Sequence, residues 1–107
     1  MQTVSKKIED YANDLVPEGN IEFKFEKLIE NELIRRLIRF RHVIRLLEKK
    51  YGMDFYTFRE REVVKQMKYS FEVENDFCDW EMALDGIRTI EGQLKELRRD
   101  MNEHKGG

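Results

Sequence analysis

A chain of 107 residues, 40% hydrophobic and 39% charged, suits one small domain with a modest core and argues against a second independent one. Twenty basic side chains against twenty-two acidic ones leave a net charge of −2, which excludes a global field that would draw the chain to nucleic acid or anionic lipid; electrostatic recognition has to be local. Apolar runs of two or three residues, with no apolar leader, point away from a membrane span or a secretory signal and towards the cytoplasm, while the lone Cys78 has no internal disulfide partner and lacks the companions of a thiolate metal site.

In chain order, Val4, Ile8, Tyr11 and Leu15 fall at steps of four, three and four, and Ser5 is placed to cap, so a short amphipathic helix is predicted near residues 5–15 of an N-terminal arm covering 1–20. Alone it would be marginal. Pro17-Glu18-Gly19-Asn20 is the clearest break. Ile21, Phe23 and Phe25 then alternate with Glu22, Lys24 and Glu26, the period of a strand, yet Asn20 is also an acceptable helix cap, and the two readings stand level. A long helix over 26–51 follows, with a seam of Leu33, Leu37, Phe40, Ile44, Leu47 and Tyr51, cations at its end and Gly52 to terminate it.

Asp54 caps a connecting helix over 54–67 that carries Phe55, Phe58, Val63, Val64 and Met67 and reverses the chain. Ser70 caps a third helix over 71–100, whose seam runs through Val73, Phe77, Trp80, Leu84 and Ile87 and resumes at Ile90, Leu94, Leu97 and Met101. Gly86 and Gly92 read most simply as tolerated on its exposed face; the alternative is that Ala83 and Gly86 admit another backbone at close range. Residues 102–107 lack an apolar anchor and read as a flexible tail.

From Leu33 to Lys50 seven basic residues face Glu48 alone; from Ser70 to Asp85 there are six acids and no base. Folding back antiparallel brings these complements together. The fold expected is therefore all-α: a long antiparallel, coiled-coil-like helical hairpin with a short connecting helix and a short N-terminal helix or extended arm, forming one domain over 1–101. In it Arg35, Arg39 and Arg45 align with Glu72, Asp76 and Asp79 beside Phe77 and Trp80, within the same chain or a second copy. Exposed pairs of this kind contribute about 0–1 kcal/mol each, so the seam supplies stability and the charges choose register.

No reaction-specific motif is present. His42 lies among arginines, His104 in the tail, and no serine or cysteine sits in a nucleophile's context, so an enzyme is not expected. Glu72, Asp76 and Asp79 share a helix face without forming a calcium loop or a Glu-x-x-His pair, and no metal or cofactor is assigned. Trp80 reads as core before recognition anchor. The lysine, arginine and glutamate bias is that of heat-adapted proteins and equally of any exposed helical bundle.

The stretches "KKYGMDFYTFRERE" and "YSFEVENDFCDWEMALDGIRTIEGQLKEL" carry Tyr51, Gly52, Met53, Phe55, Phe58, Ser70, Glu72, Val73, Glu74, Asp76, Asp79, Trp80, Glu81 and Asp85. Over roughly residues 21–97 the chain thereby resembles a family of small archaeal and bacterial proteins similar to antitoxins of two-gene toxin–antitoxin modules. The resemblance implies a protein that binds and neutralises a cognate toxin; the reading built on it is a non-enzymatic binding protein whose arm (Tyr11, Leu15) and Ile21, Phe23, Phe25 segment are expected to engage the partner by adding a strand to a sheet edge. A homodimer fits the hairpin. The rival reading, less favoured, is nucleic-acid binding through Arg35, Arg39 and Arg45; a third is a self-associating structural bundle.

Overall fold

The computed structural model describes residues 4–105, and every regular element among them is helical: α1 (Lys6–Leu15), α2 (Ile21–Tyr51), α3 (Phe55–Glu60), α4 (Val63–Gln66) and α5 (Phe71–Lys105). The fold is all-α and built on an antiparallel helical hairpin. The sequence reads as one domain; the chain divides into two compact units, Met1–Arg35 with Glu91–Gly107 and Arg36–Ile90, because its buried side chains gather in two clusters. Helices α2 and α5 contribute to both.

In the second unit, residues 36–51 of α2 run antiparallel to residues 71–90 of α5: Lys50 meets Asp76, and Phe40 meets Gly86. Leu47, Phe55, Phe58, Val63, Val73 and Trp80 form the core, with Phe58 and Trp80 fully enclosed. The Phe58 ring lies 5.1 Å from Trp80 and 4.8 Å, edge-on, from Tyr51, and Phe55 lies 5.6 Å from Trp80. Aromatic pairs at such distances add about 0.5–1.5 kcal/mol each beyond the area they bury. Trp80 is core.

The expected connecting helix over 54–67 is broken in two. Asp54 caps α3 by accepting from the Thr57 amide at 2.8 Å, but Glu62 adopts a left-handed conformation (φ 52°) before α4 begins. In an unbroken helix the five-residue step from Phe58 to Val63 would send the two side chains to different faces; the break turns both into the core. At the far end of α2, Gly52 (φ 67°) stops the helix as its sequence suggests.

The expectation that Gly86 is merely tolerated on an exposed face is corrected. The Phe40 ring lies over it, and a Cβ built there would come within 2.5 Å of Cε2. A ring, not another backbone, needs the space. Gly92 has nothing within 4 Å of such a Cβ.

In the first unit, α2 starts at Ile21, five residues earlier than expected, and the strand reading of 21–25 gives way to helix. Asn20 Oδ1 accepts from the Phe23 amide at 2.8 Å, and no strand exists among the described residues to pair with this segment. Phe23 packs with Val16 and Met101 against Leu28 and Leu97. Lys24, 6% exposed, donates from Nζ to the carbonyls of Val16 (2.7 Å) and Glu18 (3.3 Å), holding the α1–α2 connection. Glu30, equally buried, accepts from Lys27 at 2.8 Å and from Arg98 of α5 at 2.9 Å. The tail expected over 102–107 is helical through Lys105, and residues 106–107 lie outside the described residues.

Candidate partner-binding surfaces

The residues expected to meet a partner separate into two groups. Tyr11 and Leu15 lie on α1 and are 54% and 69% exposed, in line with Val4 and Ile8. Phe23 is buried, and Ile21 and Phe25 are half-buried in a helix whose amides are already bonded along its axis. Strand addition by this segment is therefore corrected: a helix has no free edge of amides to offer a sheet.

A second surface, unmarked by the sequence reading, lies in the Arg36–Ile90 unit. Phe58, Val63, Val64, Tyr69, Phe77 and Cys78 line an open, mainly apolar groove of about 470 Å³, with Arg59, Glu62, Lys65 and Glu74 around it. The turn beside it is held in an unusual backbone state, with Lys68 (φ 56°) and Tyr69 (φ 54°) consecutively left-handed. The Tyr69 amide donates to the Val64 carbonyl at 2.9 Å, so α4 itself fixes the turn. Met67, Tyr69 and Phe71 are 49%, 59% and 82% exposed. The sequence signal was the presence of three large apolar residues outside the Val73, Phe77, Trp80 seam.

The charged residues also arrange differently from the expected rows. Lys50 is the cation that meets the acidic start of α5, at 2.5 Å from Glu72 and 2.6 Å from Asp76; Tyr51 donates to the same Asp76 oxygen at 2.5 Å. Arg35 pairs with Glu32 on its own helix at 2.9 Å, Arg45 and Asp79 are exposed, and Arg39 has interactions of its own. Lysine at the helix end lies opposite the first turns of α5, which mid-helix arginines do not face in an antiparallel register. Burial, and then the bond to Asp76, push the Tyr51 hydroxyl up to about 12. For Asp76, burial works upward, but the hydrogen bonds from Lys50 and Tyr51 and the lysine charge outweigh it and hold the carboxyl below its ordinary value. The bonds to Asp76 and Glu72 raise Lys50 in turn. At neutral pH this is a cation, an anion and a neutral phenol locked together: a clamp beside the aromatic core that aligns α2 with α5.

Among the described residues no three His, Cys, Asp or Glu side chains converge on a position suited to a metal ion, and no helix is long and apolar enough to cross a membrane. No protein-family model, curated protein or solved structure matches the chain.

Proposed function

We propose that the chain is a non-enzymatic binding protein of the antitoxin kind, which neutralises a cognate toxin protein by complex formation. The observation that carries this reading is the groove between α4 and α5 together with the exposed Met67, Tyr69 and Phe71. Apolar residues scattered singly over a surface need no explanation, whereas aromatics gathered on a fixed turn beside an open apolar groove have the composition of a protein-binding hot spot. The turn is conformationally fixed, so little ordering entropy is lost when a partner engages it. The choice of an antitoxin role over other binding roles comes from the sequence pattern of residues 21–97.

Co-expression with the product of the neighbouring gene tests it. The chain rescues growth and co-purifies with that product, and Phe71→Glu or Tyr69→Ala abolishes both while Trp80 emission stays that of a buried indole. Rescue unaffected by either substitution would reject the groove, and a neighbour whose toxicity the chain leaves untouched would reject the role. A second reading, nucleic-acid binding, draws on Arg41, Arg45 and Lys49, exposed at four-residue intervals along α2. It requires salt-dependent RNA or DNA binding that Arg45→Glu weakens.

A further inference from the structure

We infer that α1 is a self-pairing helix: two copies of the chain associate by packing their α1 helices antiparallel along the stripe Val4, Ile8, Tyr11 and Leu15. This goes beyond the groove and does not depend on it.

Ile8, Tyr11 and Leu15 step three and four along α1 as a narrow a/d seam, Val4 precedes the cap at Ser5 and extends the apolar stripe, and the four, from Val4 to Leu15, are 41%, 48%, 54% and 69% exposed. Helix α1 is attached to its own unit by a different side, through Ala12 (3% exposed) and Val16 (7%). The seam is therefore presented outward by a helix that is already anchored and capped, Ser5 Oγ accepting from the Ile8 amide at 3.3 Å. An exposed four-residue seam of this kind lacks its other half.

The charges identify that half. Lys7 and Asp14, seven residues apart, lie on one flank of the seam, Lys7 near its start and Asp14 near its end. When two α1 helices run antiparallel about a two-fold axis, Val4 of one faces Leu15 of the other and Ile8 faces Tyr11. The like flanks then meet, so each Lys7 comes beside the other copy's Asp14. In a parallel pair the Lys7 flank would meet the side carrying Ser5 and Ala12, which offers no charge. Lys7 already lies along the seam edge, its Nζ 6.0 Å from the Tyr11 ring centre, within reach of a facing carboxylate.

The order of charges on α1 supports the same arrangement. Beside Glu9 the start of the helix carries Lys6 and Lys7, while its last turn has no basic residue and includes Asp14. A cation at the N-terminal end and an anion at the C-terminal end oppose the helix dipole, and an antiparallel neighbour sets Lys7 beside Asp14, while Lys6 is already paired with Asp10 on its own helix at 3.6 Å. The pair so formed is small, so it dissociates on dilution.

The test uses the full chain with Cys78→Ser, so that thiol chemistry is controlled. Analytical ultracentrifugation gives a dimer that dissociates on dilution, and Ile8→Glu gives a monomer with unchanged Trp80 emission. Lys7→Asp and Asp14→Lys each raise the dimer dissociation constant about three- to tenfold, the range expected for two exposed ion pairs, and the double exchange brings it back to within about twofold. In the same background, mixing Ile8→Cys with Tyr11→Cys chains gives the mixed disulfide faster than either variant forms its own. A chain that stays monomeric when concentrated, a dimer that survives Ile8→Glu, an exchange that fails to restore, or capture of α1 by a different protein while the chain itself is a monomer would each overturn the inference.

Discussion

Gly86 and Gly92 are the same residue six positions apart on one helix, and they answer to opposite constraints. A methyl at Gly86 runs into one edge of the Phe40 ring, within 2.5 to 2.8 Å of three of its atoms, and a ring packed between α2 and α5 cannot swing aside like the tip of a lysine. Overpacking of this kind costs about 1–3 kcal/mol and exceeds the ~1 kcal/mol that alanine gains over glycine in a helix. Gly86→Ala therefore lowers the urea midpoint, whereas Gly92→Ala, with open space around it, raises stability by up to about 1 kcal/mol. Identical shifts at the two sites would show that Phe40 is not where the structure puts it. Glu30 and Asp76 bring pH into the same scale. The bond from Lys27, opposed by burial and aided by Arg98, holds Glu30 below its ordinary value, and Asp76 is held down likewise. A carboxyl with a depressed folded-state pKa stabilises above its unfolded value, near 4, and loses that contribution as pH falls through the folded one, because the unfolded chain then binds more protons. Unfolding free energies measured between pH 7 and 3 should fall with acid, and Glu30→Gln should flatten that slope.

Among the elements, those with strong local signals were legible. Ser5, Asp54, Ser70 and Gly52 stand at helix ends, and each behaves as its residue type dictates. What could not be read was decided by tertiary packing or by side chains acting at a distance. The alternation of Ile21, Phe23 and Phe25 is a sound strand pattern, and only the Asn20 cap with the pocket formed by Val16 and Met101 makes it helix. A lysine in a polar-looking pattern gives no hint that its ammonium will be buried. Lys24 reaches back over the turn to two carbonyls, which lose their donor in Lys24→Met; a cost of about 1–3 kcal/mol follows, together with faster proteolysis between Val16 and Asn20. Unchanged cleavage there would mean that Phe23 and Val16 alone fix α1. The turn at Lys68 and Tyr69 was equally invisible, because left-handed backbone normally announces itself with glycine or asparagine. Lys68 is exposed, so Lys68→Gly relieves strain without removing buried contacts and should raise stability by about 1 kcal/mol.

For the whole molecule, two apolar stripes, with the lysine end of α2 beside the acidic start of α5, foretold the antiparallel hairpin, while the division of the core between two clusters was hidden because a continuous heptad seam does not disclose where its neighbours are large. The cluster within the Arg36–Ile90 unit joins six buried residues, three of them the aromatics Phe55, Phe58 and Trp80; the other cluster consists of Val16, Phe23 and Met101, supported by Leu28 and Leu97. Fewer buried apolar contacts mean a lower free energy of local opening. The chain also reports on one unit selectively, since its lone tryptophan, Trp80, is enclosed in the larger cluster. Phe23→Ala removes the central ring of the smaller cluster at a cost of about 3–5 kcal/mol. If stability is partitioned as the clusters are, that variant loses helical circular dichroism at urea concentrations where Trp80 emission is still native, and its amides over 21–35 and 91–105 exchange well before those over 36–51 and 71–90. Coincident loss of both signals would mean instead that the continuous helices α2 and α5 bind the two clusters into one cooperative transition.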